Sequence, residues 1–148
     1  MSSPSHALDH TPAARSPWRS IGVWMAVFLV AYMLFNAIRA VQNPTAFATN
    51  YGVTPAPGNN AFVLVYAIRA LFLGLFGAAL VLRRNFGALA LFALVAVVMP
   101  LGDATLVGIA GGPTTTVIRH LLTAVFLLAT WFLLRRWNQT AQVPSSNL

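Results

Sequence analysis

The sequence predicts an all-α membrane protein, a four-helix bundle with both termini in the cytoplasm. Three observations predict it. Hydrophobic residues make up 58% of the 148-residue chain and only two residues are acidic, so a soluble fold would lack the charged surface that keeps a domain in solution. Four apolar runs are each near the roughly 20 residues that a bilayer core requires. Lys is absent, and six of the nine arginines lie before the first run, between the second and third, and after the fourth, leaving the other two connections without charge.

The same composition excludes other classes. A net charge of +7 invites a nucleic-acid partner, but the arginines lie within or beside apolar runs and form no solvated stripe. Cysteine is absent, which removes disulfides, thiolate nucleophiles and zinc–cysteine sites. The partner that remains is the lipid bilayer.

Residues 1–20 are rich in Ser, Pro, His and Ala. They carry too little apolar surface to fold alone and lack the hydrophobic core of a cleaved signal peptide, so they read as a disordered tail. His6, Asp9 and His10 have a metal-like spacing, but the flanking Pro4 and Pro12 favour a flexible polar tail, and no metal site is expected.

The membrane domain spans residues 21–134. Its first span is Ile21 to about Gln42, roughly 33 Å of helix at about 1.5 Å per residue. Tyr32, Asn36, Arg39 and Asn43 share one helical face, which should look into the bundle. Val23, Val27, Val30 and Leu34 lie opposite, to meet lipid or to pack. Asn43-Pro44 ends the span and starts a short interfacial helix to Tyr51, with Asn as N-cap, Pro at the first helical position, and Phe47 and Tyr51 on one side. A loop without charge follows, from Gly52 to Asn60.

The second span is Ala61 to Leu82. Phe62, Tyr66, Arg69 and Leu73 are assigned to one face, and Gly74, Gly77 and Ala78 allow close helix approach. Arg83-Arg84-Asn85 is a tight basic turn. The third span, Phe86 to about Ala110, contains Pro100, which cannot donate to the Ala96 carbonyl and should kink the helix. Gly111-Gly112-Pro113 is a turn. The fourth span is Thr114 to Leu134, with Thr116, Arg119, His120 and Thr123 as its polar face. Residues 135–148 form a polar C-terminal tail.

Arginine placement sets the orientation. Arg15 and Arg19, Arg83 and Arg84, and Arg135 and Arg136 fall on one side, and the other two connections carry no charge. The positive-inside rule puts that basic side in the cytoplasm, with Trp18 and Trp137 at its interface, in a multipass protein of the cell membrane.

In this orientation Arg39, Arg69, Asp103, Arg119 and His120 all fall in the outer half of the bilayer, roughly 5–14 Å below its surface. Asp103 is the single acid outside the tail. An intramembrane carboxylate costs roughly 2.5–3.5 kcal/mol on insertion scales, so it needs a partner, and Arg69 or Arg119 is the expected one.

These residues carry a resemblance. Asn36-Ala37-Ile38-Arg39, the stretch Pro44 to Gly52 with Phe47-Ala48 and Tyr51-Gly52, Val65-Tyr66-Ala67-Ile68-Arg69, Leu73-Gly74, Pro100-Leu101-Gly102-Asp103 and Arg119-His120 resemble the domain-of-unknown-function family 4267, over residues 21–134. The resemblance implies a four-helix membrane protein and no particular activity. The family pattern has Asp directly after the arginine of the second helix. This chain has Ala70 there, which removes an expected partner of Arg69.

Three functions fit the charge cluster. The plainest is assembly, in which Arg, Asp, His and Tyr satisfy one another and fix helix register. The second is a cofactor-free acid–base enzyme (isomerase, cyclase or oxygenase type) acting on a lipophilic small molecule. His120 and Asp103 would be its catalytic pair, and Arg69, Arg119, Tyr66, Arg39 and Asn36 would hold the substrate. The third is binding or transport of an organic anion, because three arginines outweigh one aspartate; transport with four spans would call for a homo-oligomer. No cofactor is implied.

Overall fold

A computed structural model describes residues 16–53 and 60–141 of the chain. The tail with His6, Asp9 and His10, the loop at 54–59 and the last residues from 142 lie outside the described residues. All described secondary structure is helical. A single 3-10 turn, Pro17–Arg19, leads into α1 (Ile21–Gln42), α2 (Pro44–Tyr51), α3 (Ala61–Leu82), α4 (Phe86–Ala96), α5 (Val98–Ile109) and α6 (Thr114–Ala141). Four helical stretches, with α4 and α5 counted as one, are long and apolar enough to cross a membrane. The protein is a multipass membrane protein built as a helical bundle.

Local chemistry sets the boundaries. The Asn43 side chain accepts from the Ala46 N–H at 3.1 Å, with Pro44 as the first helical residue of α2. Asn85 caps α4 in the same way through the Ala88 N–H. Gly52 ends α2 with φ of +91°, a left-handed conformation that a residue without Cβ adopts freely. At the expected kink the α-helix lapses for one residue, Val97, which keeps helical φ and ψ. Pro100 has no N–H, so the Ala96 carbonyl loses its helical donor; α4 stops there, and the Val97 N–H turns back to the Leu94 carbonyl at 3.2 Å.

Two boundaries differ from the sequence expectation. Residues Pro17–Arg19 form a turn, closed by the Trp24 indole N–H donating to the Trp18 carbonyl. Helix α6 continues past Leu134 to Ala141. Arginine is a good helix former, and the Arg135 and Arg136 guanidinium groups lie 5.6 and 4.6 Å over the Trp131 and Phe132 rings of their own helix. The basic pair therefore extends the helix and does not end it.

The bundle consists of two helix pairs. α1 packs most extensively on α3, and α6 packs on α4 and α5. Small residues bring α1 and α3 together. A Cβ built on Gly74 would lie 2.6 Å from Leu34 Cδ2, and one on Gly77 would lie 2.7 Å from Val30 Cγ2. Val30 and Leu34 thus pack against α3, while Phe28, Phe35 and Ile38 face outward. A core of Val23, Ala26, Val81, Phe86, Leu89, Ala90 and Leu134 closes the end near the Arg83–Asn85 turn. Ala40, Phe47, Ala48, Val63 and Ala67 form a second core where α2 folds onto the first pair. Outward side chains such as Ile68, Leu82 and Ile109 are exposed, as a bilayer-facing surface requires.

Candidate functional site

A cavity of about 250 Å³ lies between the two pairs. Its floor is apolar, lined by Val30, Leu89, Phe92, Ala93 and Leu127. Its polar groups gather at the end covered by α2. Asn36 and Arg39 come from α1, Asn50 and Tyr51 from α2, Tyr66 from α3, Asp103 from α5, and Thr116, Arg119 and His120 from α6.

Helix α2 completes this end because its cap seats it there. The left-handed Gly52 lies against α5 and α6: a Cβ on it would fall 2.8 Å from Thr116 Cγ2 and 3.0 Å from Val107 Cγ1. That contact directs Tyr51 inward. Its ring meets Phe47, Tyr66 and His120 at centroid distances of 5.7, 4.9 and 4.8 Å. The Tyr51 hydroxyl donates a hydrogen bond to Asp103 Oδ2. Burial pushes the Tyr51 phenol well above its ordinary pKa, and the hydrogen bond to Asp103 raises it further. Tyr51 therefore keeps its proton and Asp103 accepts.

The arginines are placed differently from the expectation. Asp103 is bonded to Tyr51, not to Arg69 or Arg119. Arg119 donates to the Asn50 carbonyl at 2.8 Å and to Thr116 Oγ1 at 2.9 Å, which ties α6 to α2. Arg39 reaches the cavity while lying 5.7 Å from the Phe35 ring centroid. Arg69 is exposed on α3 and does not line the cavity. Among the described residues no charged side chain is fully buried. The physical reason is length and hydration. A guanidinium on a long stem moves its charge toward water, whereas the short Asp103 side chain stays between the helices and takes a neutral donor.

His120 is the outlier. Its Nε2 is buried and has no hydrogen-bond partner, in a wall of the cavity where every nearby element brings polar groups. A buried ring nitrogen left unpaired is costly, roughly 1–3 kcal/mol, and such groups in native folds call for an explanation. Chemically, this end offers a carboxyl group that accepts from the Tyr51 hydroxyl, a buried imidazole nitrogen without a partner, and two guanidinium groups. Among the described residues no three His, Asp or Glu side chains converge to hold a metal ion.

Of the residues singled out from sequence, the cavity gathers Asn36, Arg39, Tyr66, Asp103, Arg119 and His120. It leaves out Arg69, takes in Thr116 and Thr123 of the expected polar face of the fourth span, and adds Tyr51 and Asn50 from α2. The signal for Tyr51 was present in part. Phe47 and Tyr51 lie one turn apart on a capped helix, a face that must pack on something.

No curated protein and no solved structure matches the chain. The sequence profile of one family, described as Domain of unknown function (DUF4267), matches residues 30–134. That stretch takes in most of α1, all of α2 to α5 and α6 as far as Leu134, and with them each polar group of the cavity. The chain belongs to the DUF4267 family.

Proposed function

We propose that this protein binds a lipophilic small molecule in the cavity between its helix pairs, with the ligand's weakly acidic or anionic end at the α2-covered end. One observation carries the reading: His120 Nε2 is buried without a partner in the cavity wall, beside the Tyr51–Asp103 pair. An apolar cavity with a few convergent polar groups is the usual form of a small-molecule site. A ligand hydroxyl, enol or carboxyl would complete the bonding of His120. Arg39 and Arg119 outweigh Asp103 by one positive charge, which favours an anion.

In this proposal the chain lies in the cell membrane with both termini cytoplasmic, and the polar end of the cavity faces outward. The arginines of the flanks and of the Arg83–Asn85 turn support that orientation.

The unpartnered imidazole also favours a catalytic form of the same reading. His120 would take a proton from the bound molecule and return it at another position. Arg39 and Arg119, which also line the cavity, would stabilise the enolate or phenolate formed. Isomerisation and cyclisation are reactions of this kind.

Mass spectrometry of organic extracts from the purified protein tests the proposal. One small molecule should be enriched with the parent protein and lost from folded His120→Gln and Asp103→Asn proteins. Identical extracts from all three would refute it. For the catalytic form, His120→Gln should lower turnover of that molecule about 10²–10⁴-fold.

A further inference from the structure

We infer that the cleft between α1 and α6 is a second subsite, which holds the hydrocarbon chain of a single-chain amphiphile taken from the bilayer. The inference rests on the binding role proposed for the cavity, and gives its ligand a chemical class and a route. The cleft, of about 220 Å³, is lined by Phe28, Leu29 and Tyr32 of α1 and by Leu122, Thr123 and Phe126 of α6.

Three of these residues, Leu29, Tyr32 and Thr123, also line the cavity. The cleft and the cavity are therefore two sides of one wall. Along this seam α1 packs less extensively on α6 than it does on α3. A ligand that displaces the Tyr32 side chain joins the two spaces.

The chemistry of the cleft suits a hydrocarbon chain. Thr123 Oγ1 already donates to the Arg119 carbonyl, and the other lining residues of the cleft except Tyr32 are apolar. Phe28 and Phe126 meet edge to face across the seam at 5.8 Å, so their rings close one side of the cleft with an apolar wall. Phe28 and Leu122 are 59% and 62% exposed, so the mouth is open on the membrane side.

Depth decides the source. Tyr32 lies midway along α1, and Leu122 to Phe126 lie near the middle of the membrane-length part of α6. A mouth there opens on acyl chains, not on headgroups or water. A water-soluble ligand has no such route, whereas an amphiphile diffusing within the leaflet meets it directly. The chain gains little by exchanging lipid for the cleft, since both are apolar. The head at His120 supplies affinity, and the cleft supplies shape.

Photolabelling of the full-length protein in phosphatidylcholine nanodiscs tests this with two palmitic acid probes. One carries a diazirine at the chain terminus and the other carries it beside the carboxylate. The terminal probe should label Phe28, Leu122 and Phe126, and excess plain palmitic acid should abolish that labelling while sparing adducts on lipid-facing Phe72 and Leu75. Leu122→Trp, which fills the cleft, should lose the competable adducts. Cleft adducts that compete no better than those on Phe72 and Leu75 would overturn the inference, even where the carboxyl-side probe labels Tyr51 or His120 competably. Competable cleft labelling that persists undiminished in His120→Gln would instead uphold the cleft and remove the head-binding role of His120.

Discussion

Replacing Tyr51 by Phe isolates the bond that stands where an ion pair was expected. Phe keeps the ring contacts with Phe47, Tyr66 and His120 and deletes only the hydroxyl that donates to Asp103. A hydrogen bond to a charged group contributes about 1.5–3 kcal/mol net. Asp103 is half-buried and regains some hydration when the hydroxyl goes, so the lower part of that range applies, about 1.5–2 kcal/mol. For a chain of this size each kcal/mol shifts the melting temperature by about 2–4 °C, and the expected loss is about 3–8 °C. The assay is a double-mutant cycle with Asp103→Ala, read by thermal or SDS-induced unfolding in one fixed detergent. In the Asp103→Ala background, Tyr51→Phe should cost less than about 0.5 kcal/mol, because its acceptor is gone. Equal losses in both backgrounds would show that the hydroxyl and the carboxylate are not coupled. The placement of α2 over the cavity would then need another cause.

Further outcomes follow from the same structure. Gly52→Ala should destabilise by about 1–3 kcal/mol in a melt, since it combines a left-handed φ with a Cβ 2.8 Å from Thr116 Cγ2; Thr116→Ser, which removes that methyl, should recover part of the loss. Asn43→Ala should cost about 1 kcal/mol by losing the α2 cap, with Asn43→Asp close to neutral. Stability should hold below the ordinary phenol pKa of 10.0 and fall above it. There the unfolded chain releases the Tyr51 proton that the fold retains, so the unfolded state gains, and an alkaline titration of Tyr51→Phe should show a shallower fall. Cysteines placed at Gly87 and Ala110 test the orientation: a membrane-impermeant reagent added to intact cells should label Ala110→Cys and spare Gly87→Cys, and the reverse would invert the topology.

The elements were largely legible in the sequence because membrane helices are specified locally. α1, α2 and α3 begin and end where caps, Pro44 and the basic turn put them, and Pro100 announced the lapse at Val97 between α4 and α5. The site was legible in its members more than in its bonds. Arg69 shows why. The stripe of α3 that meets the cavity is Tyr66, Ala70 and Leu73, spaced by four and then three, and Arg69 stands one position off it. A face argument with a tolerance of one residue could not separate Arg69 from Ala70, although the two point in directions about 100° apart. The Asp103 partner was hidden for a different reason. Charge counting looks for a cation, but the geometry of a short interfacial helix supplied a neutral hydroxyl from 52 positions away, and where that hydroxyl arrives depends on tertiary contacts of α2, at Gly52, Asn50 and Phe47, that no local pattern announces.

An experimental structure of the protein in native-lipid nanodiscs tests the central claim most directly, through the density at His120. The expected result is an elongated, non-protein feature filling the cavity, with its polar end within hydrogen-bond distance of His120 Nε2 and its body toward Leu29 and Tyr32. A cavity closed by its own side chains, with His120 Nε2 bonded to a protein group, would contradict a ligand-binding role.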